Sequence, residues 1–378
     1  MKKRIMVVFG TRPEAIKMAP LVNALKESKH LEPVVVVTAQ HREMLDQVLN
    51  TFNITPDYDL NVMRAEQTLS HITSQVLKEM ESIIQKETPD MVLVHGDTTT
   101  TFSAALAAFY QKVSIGHVEA GLRTYNKFAP YPEELNRQLT TRLADLHFAP
   151  TLRAKDNLLK EQVDESTIFV TGNTVIDALN TTVDPNYNSK LLSQYKDKRV
   201  ILLTAHRREN LGEPMIQIFK AMKHIADTHR DVVIVYPVHK NPKIRELAQR
   251  YLTHDRIELI EPLDVMDFHN FAAASEIILT DSGGIQEEAP SLNKPVLVLR
   301  DVTERPEGVE SGVLKIVGTD FEKIVTETNR LLNNREIYNE MTQLKNPYGD
   351  GQASHRIVDI ISHYYGFISE KPLDFMNS

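Results

Sequence analysis

The chain of 378 residues contains no cysteine. Disulfides, thiol nucleophiles, iron–sulfur clusters and cysteine zinc sites are thereby excluded, and the absence fits a reducing compartment. Nor is there an uninterrupted apolar stretch approaching the ~18 residues that would span a bilayer. The start imitates a signal peptide, with Met1-Lys2-Lys3-Arg4 ahead of an apolar run over 5–9. That run stops at Gly10-Thr11-Arg12, too early for a signal-peptide core, so no membrane association and a cytoplasmic location are expected. No basic block occurs, the net charge is −8 and aromatics make up 7%, which argues against a nucleic-acid partner. No G-x-G-x-x-G follows any apparent strand, so no dinucleotide cofactor is expected, and the absence of G-x-x-x-x-G-K-[ST] excludes a P-loop NTPase.

What is present is the balance of a globular protein, 42% apolar and 25% charged, in a chain long enough for two cores. Short β-branched runs at 5–9, 34–38, 91–95, 114–118 and 168–171 read as strands, and 14–27, 68–86, 99–111, 133–144 and 151–161 as helices. The alternation restarts with strands at 199–204, 232–237, 257–260, 277–280 and 295–299 and helices at 213–228, 242–251, 265–274 and 285–290. Continuous apolar strands separated by helices indicate parallel sheets covered on both faces. The prediction is an α/β protein of two Rossmann-like, doubly wound domains, 1–184 and 185–352, with a final helix beginning near 353 that packs back on the first. The turn-rich stretch Asp184-Pro185-Asn186-Tyr187-Asn188 serves as linker. Such sheets bind ligands at the carboxyl ends of their strands, and two facing sheets would share one cleft. There is no internal repeat and no low-complexity segment.

Polar and glycine-rich residues gather where strands should end. In Gly10-Thr11-Arg12-Pro13-Glu14-Ala15-Ile16-Lys17, Pro13 suits a first helical turn, and Arg12 and Lys17 stand near a helix N-terminus that favours anions. A capped turn with solvated charges is the competing reading. His95-Gly96-Asp97-Thr98 offers Asp97 either as an N-cap or as a cleft carboxylate. Glu119 ends the next strand, and Glu133 and Glu134 follow, either as further acids or as complements to a helix dipole. Clustered carboxylates can hold different pKa values and divide acid and base roles.

Thr204-Ala205-His206-Arg207-Arg208 places one imidazole and two guanidinium groups after a strand, without the spacing of a zinc site. It reads as a phosphate contact or as a basic surface turn. Thr280-Asp281-Ser282-Gly283-Gly284 runs directly into a helix carrying Glu288. Glycines there let backbone N–H groups approach an anion, and Glu288 can accept from ribose hydroxyls. Asp57-Tyr58-Asp59 is nominally the D-x-D of metal-dependent sugar transferases, but it follows Pro56 in an expected loop and is assigned no role. No metal is expected.

Taken together, FGTRPEAIKMAPL (9–21), VLVHGDTTTT, GHVEAGLRT, PYPEELNR, TGNTVIDAL, HRREN, LTDSGGIQEEAPSLNKPVLVLRD, TERPE and NPYGDGQA (346–353) closely resemble the non-hydrolysing UDP-N-acetylglucosamine 2-epimerases of bacterial surface-polysaccharide synthesis, in order and over nearly the whole chain. The resemblance implies a GT-B-like fold, a homodimer, and reversible conversion of UDP-N-acetylglucosamine to UDP-N-acetylmannosamine. The C2 proton is not beside a carbonyl, so direct abstraction is too costly. The implied route is elimination of UDP to 2-acetamidoglucal, reprotonation on the opposite face and re-addition of UDP. Departure of the diphosphate needs cations and N–H donors, and the proton transfers need carboxylates.

By resemblance Asp97, Glu119 and Glu133 form the acid–base set and His206 assists the diphosphate. Arg12 and Lys17 hold phosphate or order the site, with Arg137 nearby. Phe268 stacks on uracil, Ser282, Gly283 and Gly284 bind the diphosphate, Glu288 binds the ribose, and Arg305 is a further nucleotide contact. Leu263 stands where relatives have glutamine, a contact that suits backbone atoms. Some members are activated by a second substrate molecule, and the matching positions are Gln40, Gln67, Arg207 and His239, with Glu43 in place of a glutamine. A hydrolysing epimerase releasing free N-acetylmannosamine, a glycosyltransferase with the same donor pocket, and a nucleotide-sugar sensor are the alternatives. Three acids at cleft positions would make a costly sensor for an anion.

Overall fold

The computed structural model describes residues 2–38, 42–62 and 68–376, so Gln40 and Gln67 lie outside the described residues. The chain divides into two compact units, Met1–Asn180 with Gly349–Ser378, and Thr181–Tyr348. Local hydrogen bonds explain these boundaries against the expected ones after 184 and 352. The Asn180 amide donates to the Gly351 carbonyl at 3.1 Å, tying 349–352 to the first unit. Thr182 bonds the His269 ring at 2.6 Å, and the Asp184 N–H donates to the Asn270 side chain at 2.9 Å, tying the linker to the second.

The first unit is built on β1 (Lys3–Phe9), β2 (Leu31–Val37), β3 (Tyr58–Asp59), β4 (Met91–His95), β5 (Ser114–Val118), β6 (Leu146–Ala149) and β7 (Ile168–Val170). They pair in the order β3-β2-β1-β4-β5-β6-β7, all parallel. β1 and β4 are buried on both faces, as continuous Val, Ile and Leu runs require. The final helix, Ala353–Tyr364, packs on Arg12–Glu27. It has no side-chain cap of its own. The buried Asp177 supplies one, accepting from the Ser354 and Ala353 N–H groups at 2.6 and 3.1 Å.

The second unit uses β8 (Arg199–Thr204), β9 (Val232–Pro237), β10 (Ile257–Ile260), β11 (Ile277–Thr280), β12 (Val296–Val298) and β13 (Leu314–Ile316), parallel in the order β10-β9-β8-β11-β12-β13. Helices Glu213–Thr228 and Phe321–Asn333 pack together over a cluster that includes Ile201, Leu203, Phe219, Ile234 and Tyr236. Among the described residues no helix is long and apolar enough to cross a membrane.

Each sheet therefore reverses direction once, between β1 and β4 and between β8 and β11. Helices leave in opposite senses at such a switch point, opening a crevice beyond the strand ends. The four connections there are 10–11, 96–98, 205–207 and 281–282, and each lies in a motif singled out from sequence.

Candidate active site

At the first switch point a carboxylate has been recruited for structure. Glu14, 3% exposed, closes a capping box with Thr11. It accepts from the Thr11 N–H at 2.8 Å and hydroxyl at 2.7 Å, and from the Thr98 hydroxyl at 2.8 Å. One side chain thus joins the loops after β1 and β4, and burial raises its pKa despite these donors. Arg12, half-buried at the start of the helix, has no hydrogen-bond or ion-pair partner among the described residues.

Asp97 follows β4 and is held by Arg137, whose Nε and Nη2 donate to the same oxygen at 2.9 and 2.6 Å. Arg137 also donates to Glu134 at 3.3 Å. Glu134, 0% exposed, further accepts from the Thr124 and Tyr125 N–H groups at 2.9 and 3.0 Å. It orders the 124–125 turn and braces Arg137. Its neighbour Glu133 is half-buried and has no such partner among the described residues, so the two adjacent glutamates are functionally separable.

Glu119 follows β5 with φ of 62°, the left-handed region that non-glycine residues rarely occupy. Holding a residue there costs about 1–3 kcal/mol and needs surroundings that over-determine it. Gly121, two residues on, also has a positive φ. Its φ is 90°, and a Cβ there would meet the Ala154 carbonyl oxygen at 2.2 Å, so only glycine fits. The Glu119 carboxylate is ion-paired with Lys17 and accepts from the Asn173 amide at 2.9 Å. Register sets its relation to Asp97. His95 pairs with Val118, which brings Gly96-Asp97 and Glu119 to the ends of adjacent strands.

Behind these carboxylates sit histidines that the motif reading passed over. His95, 3% exposed, lies 3.8 Å from Glu119 Oε2, and neither ring nitrogen has a hydrogen-bond partner. Burial lowers its pKa to about 4, with Glu119 opposing the shift. His117 bonds the Gly96 carbonyl at 2.8 Å, and burial lowers its pKa to about 3. Both rings are neutral at physiological pH.

At the second switch point the helix Gly283–Glu288 has only six residues, so little dipole is available and the anion attraction expected there must come from side chains. Two guanidinium groups lie beside this turn. A methyl group on Gly283 would lie 3.7 Å from Nη2 of both Arg207 and Arg305. Arg207 is anchored through Nε to the Asp281 carbonyl at 3.2 Å, and Arg305 is ion-paired with the buried Glu287. Ser282 occupies the N-cap position without using its hydroxyl as a cap, which leaves that hydroxyl for other partners.

His206 follows β8 and Asp281 follows β11, in a register fixed by the Thr204–Thr280 pair. His206 Nδ1 lies 3.4 Å from Asp281 Oδ1, and the His239 ring stacks on it at 5.5 Å and 15°. Glu288 is met by His269 Nε2 at 3.3 Å, and the other ring nitrogen of His269 is held by Thr182. Phe268 and Leu263 are half-buried, and Phe268 lies edge-on to His269 with ring centroids 6.2 Å apart.

The structure therefore joins Asp97 to Arg137, Lys17 to Glu119, and Arg207 and Arg305 to Gly283. His239, expected at an activator position, touches His206. Sequence reasoning missed Glu14, His95, Asn173, Asp281 and His269 as members of these clusters. Asn173 and Asp281 stand in the quoted TGNTVIDAL and TDSGG stretches, but their partners are distant in sequence.

A family profile described as UDP-N-acetylglucosamine 2-epimerase matches residues 23–362. The chain is 60% identical over 375 residues to the UDP-N-acetylglucosamine 2-epimerase of Bacillus subtilis, covering 99% of both chains. It superposes on the crystal structure of a putative UDP-N-acetylglucosamine 2-epimerase from Listeria monocytogenes with a TM-score of 0.96, at 55% identity and full coverage of each chain. The Neisseria meningitidis UDP-GlcNAc 2-epimerase bound to UDP-GlcNAc matches at TM-score 0.85 and 47% identity, over 95% of this chain and 100% of that one. With two parallel α/β sheets of the GT-B-like type and this similarity along its whole length, the chain belongs to the UDP-N-acetylglucosamine 2-epimerase family of isomerases.

Proposed function

We propose that the protein interconverts UDP-N-acetylglucosamine and UDP-N-acetylmannosamine without net hydrolysis, by elimination and re-addition of UDP. The Neisseria relative carries UDP-GlcNAc, and the same substrate is assigned to this chain. A base of the first unit removes the C2 proton as the C1–O bond breaks, giving 2-acetamidoglucal and UDP. An acid then delivers a proton to the opposite face of C2, and UDP adds back at C1. Protons and phosphate balance over the cycle, and no oxidant is required.

The observation that carries this reading is that Asp97 and Glu119 end adjacent strands, each with its own cation, Arg137 and Lys17. Two carboxylates separately held in this way can serve two faces of one carbon without collapsing into a shared-proton pair. Glu133 completes the acid–base set. In the second unit Arg207, Arg305 and the Ser282-Gly283-Gly284 turn bind the diphosphate, where developing charge is stabilised by fixed donors. His206 assists its departure, Glu288 binds the ribose and Phe268 and Leu263 contact the uracil. Arg12 supplies a further cation. On the strength of the family resemblance the reading extends to a cytoplasmic homodimer supplying surface-polysaccharide synthesis. It also extends to activation by a second substrate molecule through Gln40, Gln67, Arg207 and His239.

The test is incubation with UDP-N-acetylglucosamine in heavy water, followed by NMR of the anomeric and C2 protons without added cofactor. Deuterium at C2 of both UDP-sugars in a stable mixture is the expected result. Accumulation of free N-acetylmannosamine with UDP would instead assign hydrolysis, and binding without exchange or release would overturn the epimerase reading.

A further inference from the structure

Asp281 is 0% exposed, and only one of its two oxygens is committed. Oδ2 accepts from the His206 and Arg207 N–H groups, both at 2.8 Å, and from the Asn210 amide at 3.1 Å. That oxygen holds the turn after β8. Oδ1 is buried and has no hydrogen-bond partner. A buried carboxylate oxygen left unpaired is unfavourable in a low-dielectric setting, so a donor is expected at it. The group in ion-pair range is His206 Nδ1, at 3.4 Å. That separation is long for a finished hydrogen bond, as between catalytic groups before substrate tightens them.

We infer that Asp281 is a positioning residue for His206, holding the proton on Nδ1 so that Nε2 faces the diphosphate. The inference rests on the role given to His206 above. The stacked His239 ring restricts rotation of the imidazole plane, and Oδ1 selects which nitrogen is protonated. With Nδ1–H fixed, Nε2 gives its proton to the departing diphosphate oxygen and recovers it when UDP returns. The Nε2 proton is taken from solvent as the anionic diphosphate binds, so His206 is cationic before departure and neutral after it, and the proton returns to Nε2 when UDP adds back.

The groups facing His206 tune the same equilibrium. Burial lowers its pKa most, Asp281 raises it, and His239 and Arg207 lower it further. Asp281 is thus the group among these that keeps the imidazolium accessible, from the strand end opposite the stacked ring.

Asp281→Asn separates the two functions of this side chain. Its amide oxygen can take over the Oδ2 contacts, leaving an NH₂ donor facing Nδ1. The turn is kept and the tautomer reverses, the logic by which an Asp-to-Asn change in the serine-protease triad preserves geometry but loses about 10⁴ in rate. The experiment uses the full chain with labelled histidine, the His206 resonances being identified by their loss in His206→Gln. The wild type should show the Nδ1–H tautomer, and Asp281→Asn the Nε2–H tautomer with a lowered His206 pKa. UDP affinity should stay within about threefold while C2 exchange falls by about 100-fold or more. Asp281→Asn combined with His206→Gln should be no slower than His206→Gln alone, because a residue acting through another adds nothing once that other is gone.

An Nε2–H tautomer in the wild type would overturn the inference with no variant needed. Multiplicative losses in the double variant, or parallel loss of UDP binding and exchange, would reduce Asp281 to a brace for the turn. If the wild type shows no C2 exchange at all, the proposed reaction fails, while the tautomer measurement still decides the Asp281–His206 pair.

Discussion

Gly283 lies beside two guanidinium groups, with Nη2 of Arg207 and of Arg305 each 3.7 Å from where its Cβ would be. The contact distance is ordinary, so Gly283→Ala should fold with stability within about 1 kcal/mol of wild type. The added methyl occupies space in contact with both cations, and UDP affinity should fall by about tenfold or more. Calorimetric titration with UDP beside a urea unfolding curve checks both, and unchanged affinity would remove the anion site from this turn.

The adjacent glutamates offer a second contrast. Glu134→Gln cannot satisfy the Thr124 and Tyr125 N–H groups, Arg137 and Gln138 as a carboxylate does, and should cost about 2 kcal/mol of stability. Glu133→Gln should leave the unfolding midpoint unchanged and suppress C2 exchange by about 100-fold. Unfolding curves and deuterium incorporation on both variants decide the matter, and equal effects on both properties in both variants would contradict it.

Stability should fall on mild acidification because of the buried histidines. The pKa of His95 is lowered to about 4 and that of His117 to about 3, from 6.5 when unfolded. Below pH 6.5 the unfolded chain takes up protons that the folded chain does not. Stability therefore falls as pH drops from about 6.5 toward those values, by about 2 kcal/mol per histidine at pH 5. His117→Gln should flatten this slope in denaturant midpoints measured between pH 7.5 and 5. An unchanged slope would show that His117 is not the source.

Asp177 caps a helix more than 170 residues away in sequence, with the Ser354 N–H donating at 2.6 Å. Asp177→Ala leaves two buried donors unsatisfied and should cost about 2 kcal/mol. Asp177→Asn keeps an acceptor and loses a charge whose burial raises the pKa, so its cost should be smaller. Amide hydrogen exchange in Ala353–Tyr364 reports it, and unaltered protection in Asp177→Ala would show that the cap contributes nothing.

Much of the fold is legible in the chain itself. β4, β5, β8 and β11 and the helices Glu213–Thr228, Pro242–Tyr251 and Val265–Ala274 begin and end where hydrophobic pattern and turn residues place them, because turn or polar residues bound each of them. Leu146–Ala149 and Tyr58–Asp59 escape such reading. One is four residues interrupted by His147, the other two residues at a sheet edge, and neither supports a period-two pattern. Arg42–Thr51 and Phe321–Asn333 are helices with one apolar face that the strand-to-helix alternation does not single out.

The same division runs through the site. Sequence by itself determined that a carboxylate or cation would stand just beyond β1, β4, β5, β8 and β11, since strand length and turn chemistry are local properties. Only the tertiary structure decided how those groups are shared. Glu14 and Glu134 are drawn into backbone donors, whereas Glu133 is left without them. Lys17 is given to Glu119 and Arg137 to Asp97, across 102 and 40 residues. Asp281 meets His206 because β8 and β11 are neighbours in the sheet though 75 residues apart in the chain. Pairings of this kind depend on strand order and register, which arise from packing among distant segments, and no local pattern encodes them.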